Sequence, residues 1–588
     1  MELARLKTIT LASLILLVLL LGALFQFQPD VRRVGLELLG DERKNDVIAL
    51  YSELTARWAA TADLEPIAHA DMNPYGVNVF LEQEVEEAKI RRSLELVRDA
   101  GFKWVKQQVL WYEIERPTKG QHYDEKNKVP NTWAKYDRIV DLCQEYGLNL
   151  IARLDTSPEW ARPGNPKLET PPDNFEDYGD FVYEIVSRYK GKVRYYQNWN
   201  EPNWSFEWGN RDIDAAEFVE LLKIAYRRAK EADPDVVIIA PALAPTTEES
   251  PKAFNDLKYL QRMYELGAKD YFDIMSANPY GLRSGPYDRR LDLEQDVNFS
   301  RPVLVRELMV AYGDVHKPIW ASEMGWCALP PDYPEWPQYG RVTREQQARY
   351  TVQALQRAQR EWPWMGVMNL WYLRTVHDVN TNQQKHYFSI IGNDFSPYPI
   401  YWAVRDLATS PPVVEYGYRQ ESHWALKYSG QWRETRDERA SLGGARIGET
   451  PGDSVTFAFR GTDLSLVVAC GPEAGALEVK IDGLPANGLE KRDGSGYLDL
   501  YSPTEVCQRK AVVASGLSDG LHHAEIVVSA NKNEASLGHR VVLDGVIVDR
   551  RVTSLRGKVK IALAGLGAIA VALAMVILGR RVWPRIQH

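Results

Sequence analysis

The chain has 588 residues, which is too long for a single hydrophobic core and predicts two to four domains. With 45 % hydrophobic and 26 % charged residues, the composition is that of a folded protein. The net charge of −9, without any basic stripe, argues against nucleic acid as a partner. The 18 Trp and 30 Tyr indicate either large cores or a groove lined with flat apolar faces that carry hydrogen-bonding edges.

The chain opens on an uncharged run, residues 9–25, that follows Arg5 and Lys7. Bulky residues rather than a small-residue cleavage site come next, so an uncleaved signal anchor over residues 1–28 is favoured over a cleaved signal peptide. Residues 29–70 are charged and mildly helical, and we interpret them as a stalk.

Short apolar strands and amphipathic helices then alternate over residues 71–409. The predicted strands are 75–81, 103–111, 148–155, 193–199, 236–242, 272–281, 317–326 and 366–373. The predicted helices are 84–101, 131–147, 174–191, 214–233, 257–266, 303–312, 343–362 and 398–408. Strands that alternate with helices predict a parallel sheet, and eight such units fit a closed (β/α)₈ TIM barrel better than an open sheet.

The pattern changes after the barrel. Residues 410–555 contain short strands separated by Gly, Asp, Asn and Pro turns, which predicts an all-β sandwich similar to a jelly roll. Residues 561–579 form a second uncharged run, close to the roughly 20 residues that span a bilayer, and three arginines follow it. We therefore expect a transmembrane segment near each terminus, a membrane-anchored protein, and an extracytoplasmic location for the domains between the two segments.

Four cysteines are too few for a disulfide scaffold. Cys143 and Cys327 are expected to be buried thiols, whereas Cys470 and Cys507 lie in one predicted domain and could form a bridge. No metal-ligand spacing is present and the ten His do not cluster, so neither a metal nor a cofactor is expected.

Functional residues of a TIM barrel lie where its strands end. The candidates at the predicted strand ends are Arg153, Asp155 and Trp160 (third strand), Asn200 and Glu201 (fourth), Asn278 and Tyr280 (sixth), Glu323 (seventh) and Trp371 (eighth). At the end of the second strand, Glu113 and Glu115 are expected to brace a loop rather than to act on a ligand.

Glu201 and Glu323 are the two carboxylates of greatest interest. Pro202 restricts the preceding residue, so we expect Glu201 to be the last extended residue of its strand. Trp199 and Trp204 would then exclude water and raise the pKa of Glu201, as a general acid near neutral pH requires. Either glutamate alone is more typical of a salt bridge, but the two together, on strands four and seven, indicate a catalytic pair. In glycosidases, two catalytic carboxyl groups about 5–5.5 Å apart indicate a retaining enzyme, whereas a separation of about 6.5–9.5 Å indicates an inverting enzyme. The sequence does not give the distance between Glu201 and Glu323.

The motifs that contain these residues resemble those of clan A glycoside hydrolases, which are (β/α)₈ retaining enzymes. "NWNEP" is similar to the acid/base motif of the clan, and "WASEMGW" is similar to its nucleophile strand. "GFKWVKQQVLWYEIE" and "DTSPEWA" most resemble family thirty-nine, the branch of β-xylosidases, α-L-iduronidases and exopolysaccharide endoglycosidases. The resemblance covers residues 71–408.

The resemblance implies a role for each matching residue. Glu201 would be the acid/base, Glu323 the nucleophile, and Asn200 a ligand of the sugar 2-hydroxyl. Tyr280 would donate to Glu323, and Trp371 would be the stacking floor beneath the sugar. Many members of the clan carry a histidine where this chain has Asn278, which leaves the orientation of the sugar open. Among the remaining substrate-binding candidates, Arg153 could equally form an ion pair inside the barrel, and Trp160 ends the "SPEW" motif.

These patterns together predict a retaining glycosidase (EC 3.2.1.-) that acts on a cell-surface or extracellular polysaccharide or oligosaccharide. A non-catalytic glycan-binding or envelope scaffold protein on the same barrel is the alternative, because a fold does not fix a function. A transglycosylase would use the same residues with another acceptor. In the β domain, Trp424, Trp432 and Tyr497 could bind glycan, although a packing module is favoured.

Overall fold

A computed structural model describes residues 59–291, 297–376 and 383–550, with a few separate residues before 59. Within this part of the chain, no helix is both long enough and apolar enough to cross a membrane. The two predicted membrane segments lie outside the described residues, as does most of the predicted stalk. Residues 57–549 form one compact unit.

Eight parallel strands form a barrel within the described residues. They are β1 Tyr75–Val79, β2 Trp104–Leu110, β3 Asn149–Asp155, β4 Tyr195–Asn198, β5 Val237–Ile239, β6 Met275–Ala277, β7 Ile319–Met324 and β8 Met365–Leu370. The helices that follow them in turn are α1 Glu87–Asp99, α2 Ala134–Glu145, α3 Phe175–Arg188, α4 Ala215–Ala232, α5 Asp256–Glu265, α6 Arg301–Ala311, α7 Arg344–Glu361 and α8 Pro399–Ala408. One further α-helical turn, Trp111–Ile114, follows β2 directly.

The strands pair in the order β5-β4-β3-β2-β1-β8-β7-β6. The two outer strands also meet, because Ile239 pairs with Ile274 in parallel and the Ala240 amide donates to the Ile274 carbonyl at 2.9 Å. The sheet is therefore closed, and the predicted (β/α)₈ barrel is confirmed.

The inside of the barrel has two layers because alternate residues of a strand face the same side. The lower layer is apolar and consists of Trp104, Ile151, Tyr195, Val237, Ile239, Ile274, Trp320 and Val367. Two residues further along their strands, Lys106, Gln197 and Ser322 form a buried polar layer joined by hydrogen bonds. The polar layer supports the groups at the open end of the barrel.

Within the described residues, fourteen strands follow the barrel. They are β9 Val413–Val414, β10 Gly417–Gln420, β11 Lys427–Ser429, β12 Arg433–Arg436, β13 Gly444–Gly448, β14 Ser454–Gly461, β15 Asp463–Cys470, β16 Ala476–Ile481, β17 Leu484–Pro485, β18 Glu490–Arg492, β19 Ser495–Asp499, β20 Val506–Ala514, β21 Gly520–Val528 and β22 Val541–Asp549. They build two sheets, β12-β13-β22-β15-β20 with β10, and β11-β14-β21-β16-β19-β18 with β9 and β17. Apolar residues of both sheets share one core, so the predicted β-sandwich is confirmed.

The side chains singled out in the β domain have packing roles. Trp424 lies edge-on to Tyr75 of the barrel, Trp432 packs against the sandwich core, and Tyr497 is buried. Cys470 and Cys507 carry free thiols, so the possible bridge between them is not formed.

The barrel and the sandwich are joined through Asp71, a buried residue just before β1. Its carboxylate accepts from the Gln420 amide at 2.5 Å and lies 3.3 Å from the Arg419 guanidinium, and its carbonyl accepts from the Trp424 amide. Burial raises the pKa of Asp71 to about 6, although Arg419 opposes the shift.

Candidate active site

A cavity of about 890 Å³ lies at the carboxyl ends of the barrel strands. Six of the predicted site residues line it, namely Arg153, Asn200, Glu201, Tyr280, Glu323 and Trp371. Asn278 is buried beside them and contacts Glu201. The structure does not bring Trp160 to the cavity, because its indole N–H donates to the Glu115 carbonyl at 2.9 Å and its ring packs edge-on against Trp111.

The backbone of Glu201 differs from the expected extended conformation, so that prediction is wrong. Strand β4 ends at Asn198, and Glu201 has a φ of 37°. The Glu201 amide donates to the Ala242 carbonyl at 3.0 Å, and its carbonyl accepts from the Trp204 amide at 2.9 Å. Pro202 therefore occupies the second position of a β-turn, which suits its fixed φ. A positive φ costs a non-glycine residue about 1–3 kcal/mol, and such strain clusters at functional sites.

The side chain of Glu201 accepts one hydrogen bond, from the Asn278 carboxamide at 2.6 Å. Burial raises the pKa of Glu201 to about 8, and the negative charges of Glu323 and Glu207 add to the increase. The bond from Asn278 and the charge of Arg153 oppose the increase without cancelling it. Glu201 therefore holds a proton near neutral pH, as a general acid must. Trp199 is fully buried below it, whereas Trp204 is 39 % exposed.

Glu323 has a different set of partners. The Tyr280 hydroxyl donates to it at 2.7 Å, and Lys106 Nζ and an Arg153 guanidinium nitrogen lie 3.8 Å and 3.7 Å from its other oxygen. Consecutive side chains of a regular strand point to opposite faces, but the register between β7 and β8 shifts over Ala321–Met324. Ser322 and Glu323 therefore both lie near Lys106. Donors and cations that surround a carboxylate stabilise its ionised form, the form that a nucleophile needs.

Arg153 forms the ion pair inside the barrel that was one of the two alternatives predicted for it. Its Nε lies 2.8 Å from a carboxylate oxygen of Asp155, and Gln108 donates to the other oxygen at 2.7 Å. The same guanidinium faces Glu323 and lines the cavity. Arg153 is therefore an ion-pair partner that also presents charge to the site.

Two site residues were missed by the sequence analysis, and Lys106 is the first. It is 2 % exposed, and burial lowers its pKa to about 8, although Glu323 opposes the shift. The sequence feature that could have identified Lys106 is its position in the strand. It lies two residues beyond the inward-facing Trp104, so its side chain also points into the barrel.

Glu207 is the second missed residue. It lines the cavity in the turn Ser205–Trp208, and burial raises its pKa to about 7, while Arg153 opposes the shift. The nearby side chain of Asn200 also opposes the increase in the pKa of Glu207. Asn200 is 5 % exposed and its Oδ1 has no hydrogen-bond partner within the described residues. Buried acceptors are normally satisfied, so this atom is suited to receive a ligand hydroxyl.

Aromatic rings line the wall beyond Glu323. Trp371 follows β8, and its amide donates to the Met324 carbonyl at 2.9 Å. Its indole is held edge-on by Phe80 and Tyr372, with centroids 5.6 Å and 5.3 Å away. The ring is therefore fixed in the cavity wall, as a stacking surface must be.

The described residues contain no group of three or more His, Cys, Asp or Glu side chains that could hold a metal ion. Glu113 and Glu115 brace the loop after β2, as expected. Glu113 accepts from Lys135 and Tyr136, and Glu115 accepts from the Trp111 indole and the Gly120 amide.

No protein-family model matches the chain, and no curated protein matches it either. Among solved structures, it is similar to a family 39 glycoside hydrolase from the gut symbiont Bacteroides cellulosilyticus WH2, with 17 % identity over 78 % of this chain and 82 % of that one and a TM-score of 0.45. It is also similar to a glucosidase from Croceicoccus marinus, with 15 % identity, 79 % and 97 % coverage and a TM-score of 0.43. A third is the family 39 (GH39) enzyme of Xanthomonas axonopodis pv. citri, with 13 % identity, 80 % and 96 % coverage and a TM-score of 0.41.

Proposed function

We propose that the protein is a retaining glycoside hydrolase that cleaves O-glycosidic bonds of a polysaccharide or oligosaccharide. One observation carries the proposal: a single cavity holds Glu201, whose pKa is raised to about 8, and Glu323, which faces Tyr280, Lys106 and Arg153. Glu201 is thereby equipped to give a proton to the leaving oxygen, and Glu323 is held by donors and cations as the second carboxyl group of a glycosidase pair.

In the first step, a carboxylate oxygen of Glu323 attacks the anomeric carbon as the bond to the leaving oxygen breaks. Glu201 gives its proton to that oxygen, and a glycosyl ester on Glu323 remains. In the second step, Glu201, now ionised, takes a proton from water as the water oxygen attacks the same carbon. Glu323 leaves with the electron pair of the ester bond, and both carboxyl groups return to their starting states.

The other polar groups position the sugar. The unpartnered Oδ1 of Asn200 accepts from a sugar hydroxyl close to the reacting carbon, and Trp371 provides a face for the ring. Tyr280 and Lys106 orient the oxygens of Glu323 for attack.

For the location, we propose a membrane-anchored enzyme that acts outside the cytoplasm on a cell-surface or extracellular glycan. The uncharged runs at residues 9–25 and 561–579, the second followed by arginines, support this proposal.

The test is a screen of aryl glycosides and polysaccharides with the full-length protein purified in detergent. The first product should keep the anomeric configuration of the substrate, which proton NMR detects before mutarotation. A matching 2-fluoro glycoside should leave one covalent mass adduct on the peptide that contains Glu323. Inverted product would remove the double-displacement mechanism, and a screen without any hydrolysis would remove the hydrolase.

A further inference from the structure

Two exposed aromatic side chains lie in the cavity wall beside Glu201. Trp204 is 39 % exposed and Phe206 is 43 % exposed, and both line the cavity. Their ring centroids are 5.2 Å apart and the ring planes are tilted by 30°. Most aromatic rings of this barrel are buried, so a neighbouring exposed pair in a cavity wall indicates a binding surface.

The pair is held rigidly by the loops around it. The Trp204 amide donates to the Glu201 carbonyl at 2.9 Å, and Trp204 pairs with Ala253 of the loop after β5. Lys167 Nζ lies 3.2 Å from the ring centroid of Phe206, which fixes that ring through a cation–π contact. The two faces therefore keep a set position relative to the Glu201 carboxyl group, and a ligand that binds them loses little affinity to ordering.

The side of the cavity on which the pair lies decides what it would bind. Glu201 delivers its proton to the leaving oxygen, so the loop that carries Glu201 borders the leaving-group half of the substrate. Aromatic faces with exposed edges suit the apolar face of a pyranose ring. A substrate with one sugar and a small leaving group would leave this surface empty.

The charges at this end of the cavity limit the kind of sugar. Among the described lining residues, the permanent cations are Arg153 and Lys385, and Arg153 is paired with Asp155. Lys167, which lies against the Phe206 ring, is paired with Glu169 at 3.4 Å. The turn and loop that hold the aromatic pair contribute the carboxyl groups of Glu207 and Glu248. Negative groups disfavour an anionic sugar at this surface, so a neutral sugar fits it better.

We propose that Trp204 and Phe206 form a stacking subsite for neutral sugars on the leaving-group side, so that the substrate carries at least one further sugar beyond the cleaved bond. This inference rests on the proposed function, because it uses the role of Glu201 to assign the side. It goes further by naming the substrate class, a neutral glycan that extends past the cleaved bond.

The test measures binding of neutral cello-, xylo- and manno-oligosaccharides of two to six units to full-length Glu323→Gln protein by titration calorimetry. Glu323→Gln prevents consumption of the ligand. Affinity for at least one series should rise with chain length. Adding Trp204→Ala should weaken binding of the longest member about tenfold, which equals about 1.4 kcal/mol, and should flatten the length dependence. Adding Trp204→Phe should restore most of the affinity, because it keeps an aromatic face.

Trp402→Ala is the matched control. Trp402 is 44 % exposed and has Arg405 4.4 Å from its ring, but it lies on α8 and does not line the cavity. It should leave binding unchanged in the same Glu323→Gln protein.

Several results would overturn the inference. The first is that no oligosaccharide series binds, and the second is that affinity is equal with and without Trp204. The third is that Trp402→Ala weakens binding as much as Trp204→Ala does. The fourth is that oligogalacturonates bind more tightly than every neutral series. If Trp204-dependent binding is found but the screen shows no hydrolysis, the proposed function and the assignment to the leaving-group side fail, and only a glycan-binding surface at Trp204 and Phe206 remains. If hydrolysis is found but Trp204 has no effect on binding, the subsite fails and the hydrolase stands.

Discussion

The ends of strands β4 and β7 present the same side chain to one cavity in two different surroundings. Glu201 lies in a strained turn and accepts one bond, from the neutral amide of Asn278. Glu323 lies within its strand and faces a hydroxyl, an ammonium and a guanidinium. The difference shows that one residue type can meet opposite surroundings in one cavity: burial and nearby negative charge raise the pKa of Glu201, whereas hydrogen-bond donors and cations face Glu323.

The two surroundings also depend on each other. The negative charge of Glu323 helps to raise the pKa of Glu201, while Lys106 and Arg153 lie closer to Glu323 and face its carboxylate directly. Changes on one side should therefore be detected on the other.

The largest effect is expected from Glu323→Gln, which removes the nucleophile and keeps the shape of the side chain. The value of kcat on an aryl glycoside should fall by about 10⁴-fold or more, because no covalent intermediate can form. Glu113→Gln is the control: Glu113 also follows a strand but is bound to Lys135 and Tyr136 outside the cavity lining, and its loss should leave kcat intact. Equal losses in the two variants would mean that the assignment of Glu323 is wrong.

Glu201→Gln should have the next largest effect, and its size should depend on the substrate. For a poor leaving group the loss of kcat/KM should be about 10²–10⁴-fold, because the departing oxygen lacks a proton donor. For a dinitrophenyl glycoside, whose leaving group departs as an anion, the loss should be much smaller. Measuring kcat/KM across a series of phenols checks this, and a uniform loss would contradict the acid role.

Tyr280→Phe should reduce kcat/KM by about 10–100-fold, since it removes one hydrogen bond to a charged group. Tyr372→Phe is the control. Tyr372 also lies in the cavity wall, next to Trp371, but its hydroxyl does not donate to Glu323. If Tyr280→Phe were as active as the parent protein, the hydroxyl would have no part in orienting Glu323.

The smallest effects are opposite shifts of the alkaline limb of the pH profile. In the parent protein, kcat/KM should fall as the pH rises through about 8, where Glu201 loses its proton. Asn278→Ala removes a bond that favours ionised Glu201 and should move the limb to higher pH. Glu207→Gln removes a negative charge and should move it to lower pH. Shifts in the same direction would contradict the account of Glu201 given above.

The barrel could be predicted from the sequence because apolar periodicity determines which segments are strands and helices. The predicted third strand, 148–155, is close to Asn149–Asp155, whereas the predicted sixth, 272–281, shortens to Met275–Ala277. Outside β6, Ile274 and Tyr280 form only isolated bridges, so the sequence pattern overstates the length of this strand.

The contents of the cavity were predicted less completely. The motifs around Glu201 and Glu323 are local signals, and the structure brings both residues to one cavity. Lys106 and Glu207 belong to no motif, and their importance comes from contacts across the barrel. The conformation of Glu201 was missed because the proline rule is local, while the amide of Glu201 is bound by Ala242 on the next strand's loop.

The buried Asp71 has a consequence for how this protein can be divided. Its counter-charge and its amide donor come from Arg419 and Gln420, more than 300 positions further along the chain. A stop codon introduced after the last barrel helix would remove both partners of this carboxyl group together with the residues that cover it. Because this junction is shared, we expect a shortened chain that contains only the barrel to be less stable than the barrel within residues 57–549.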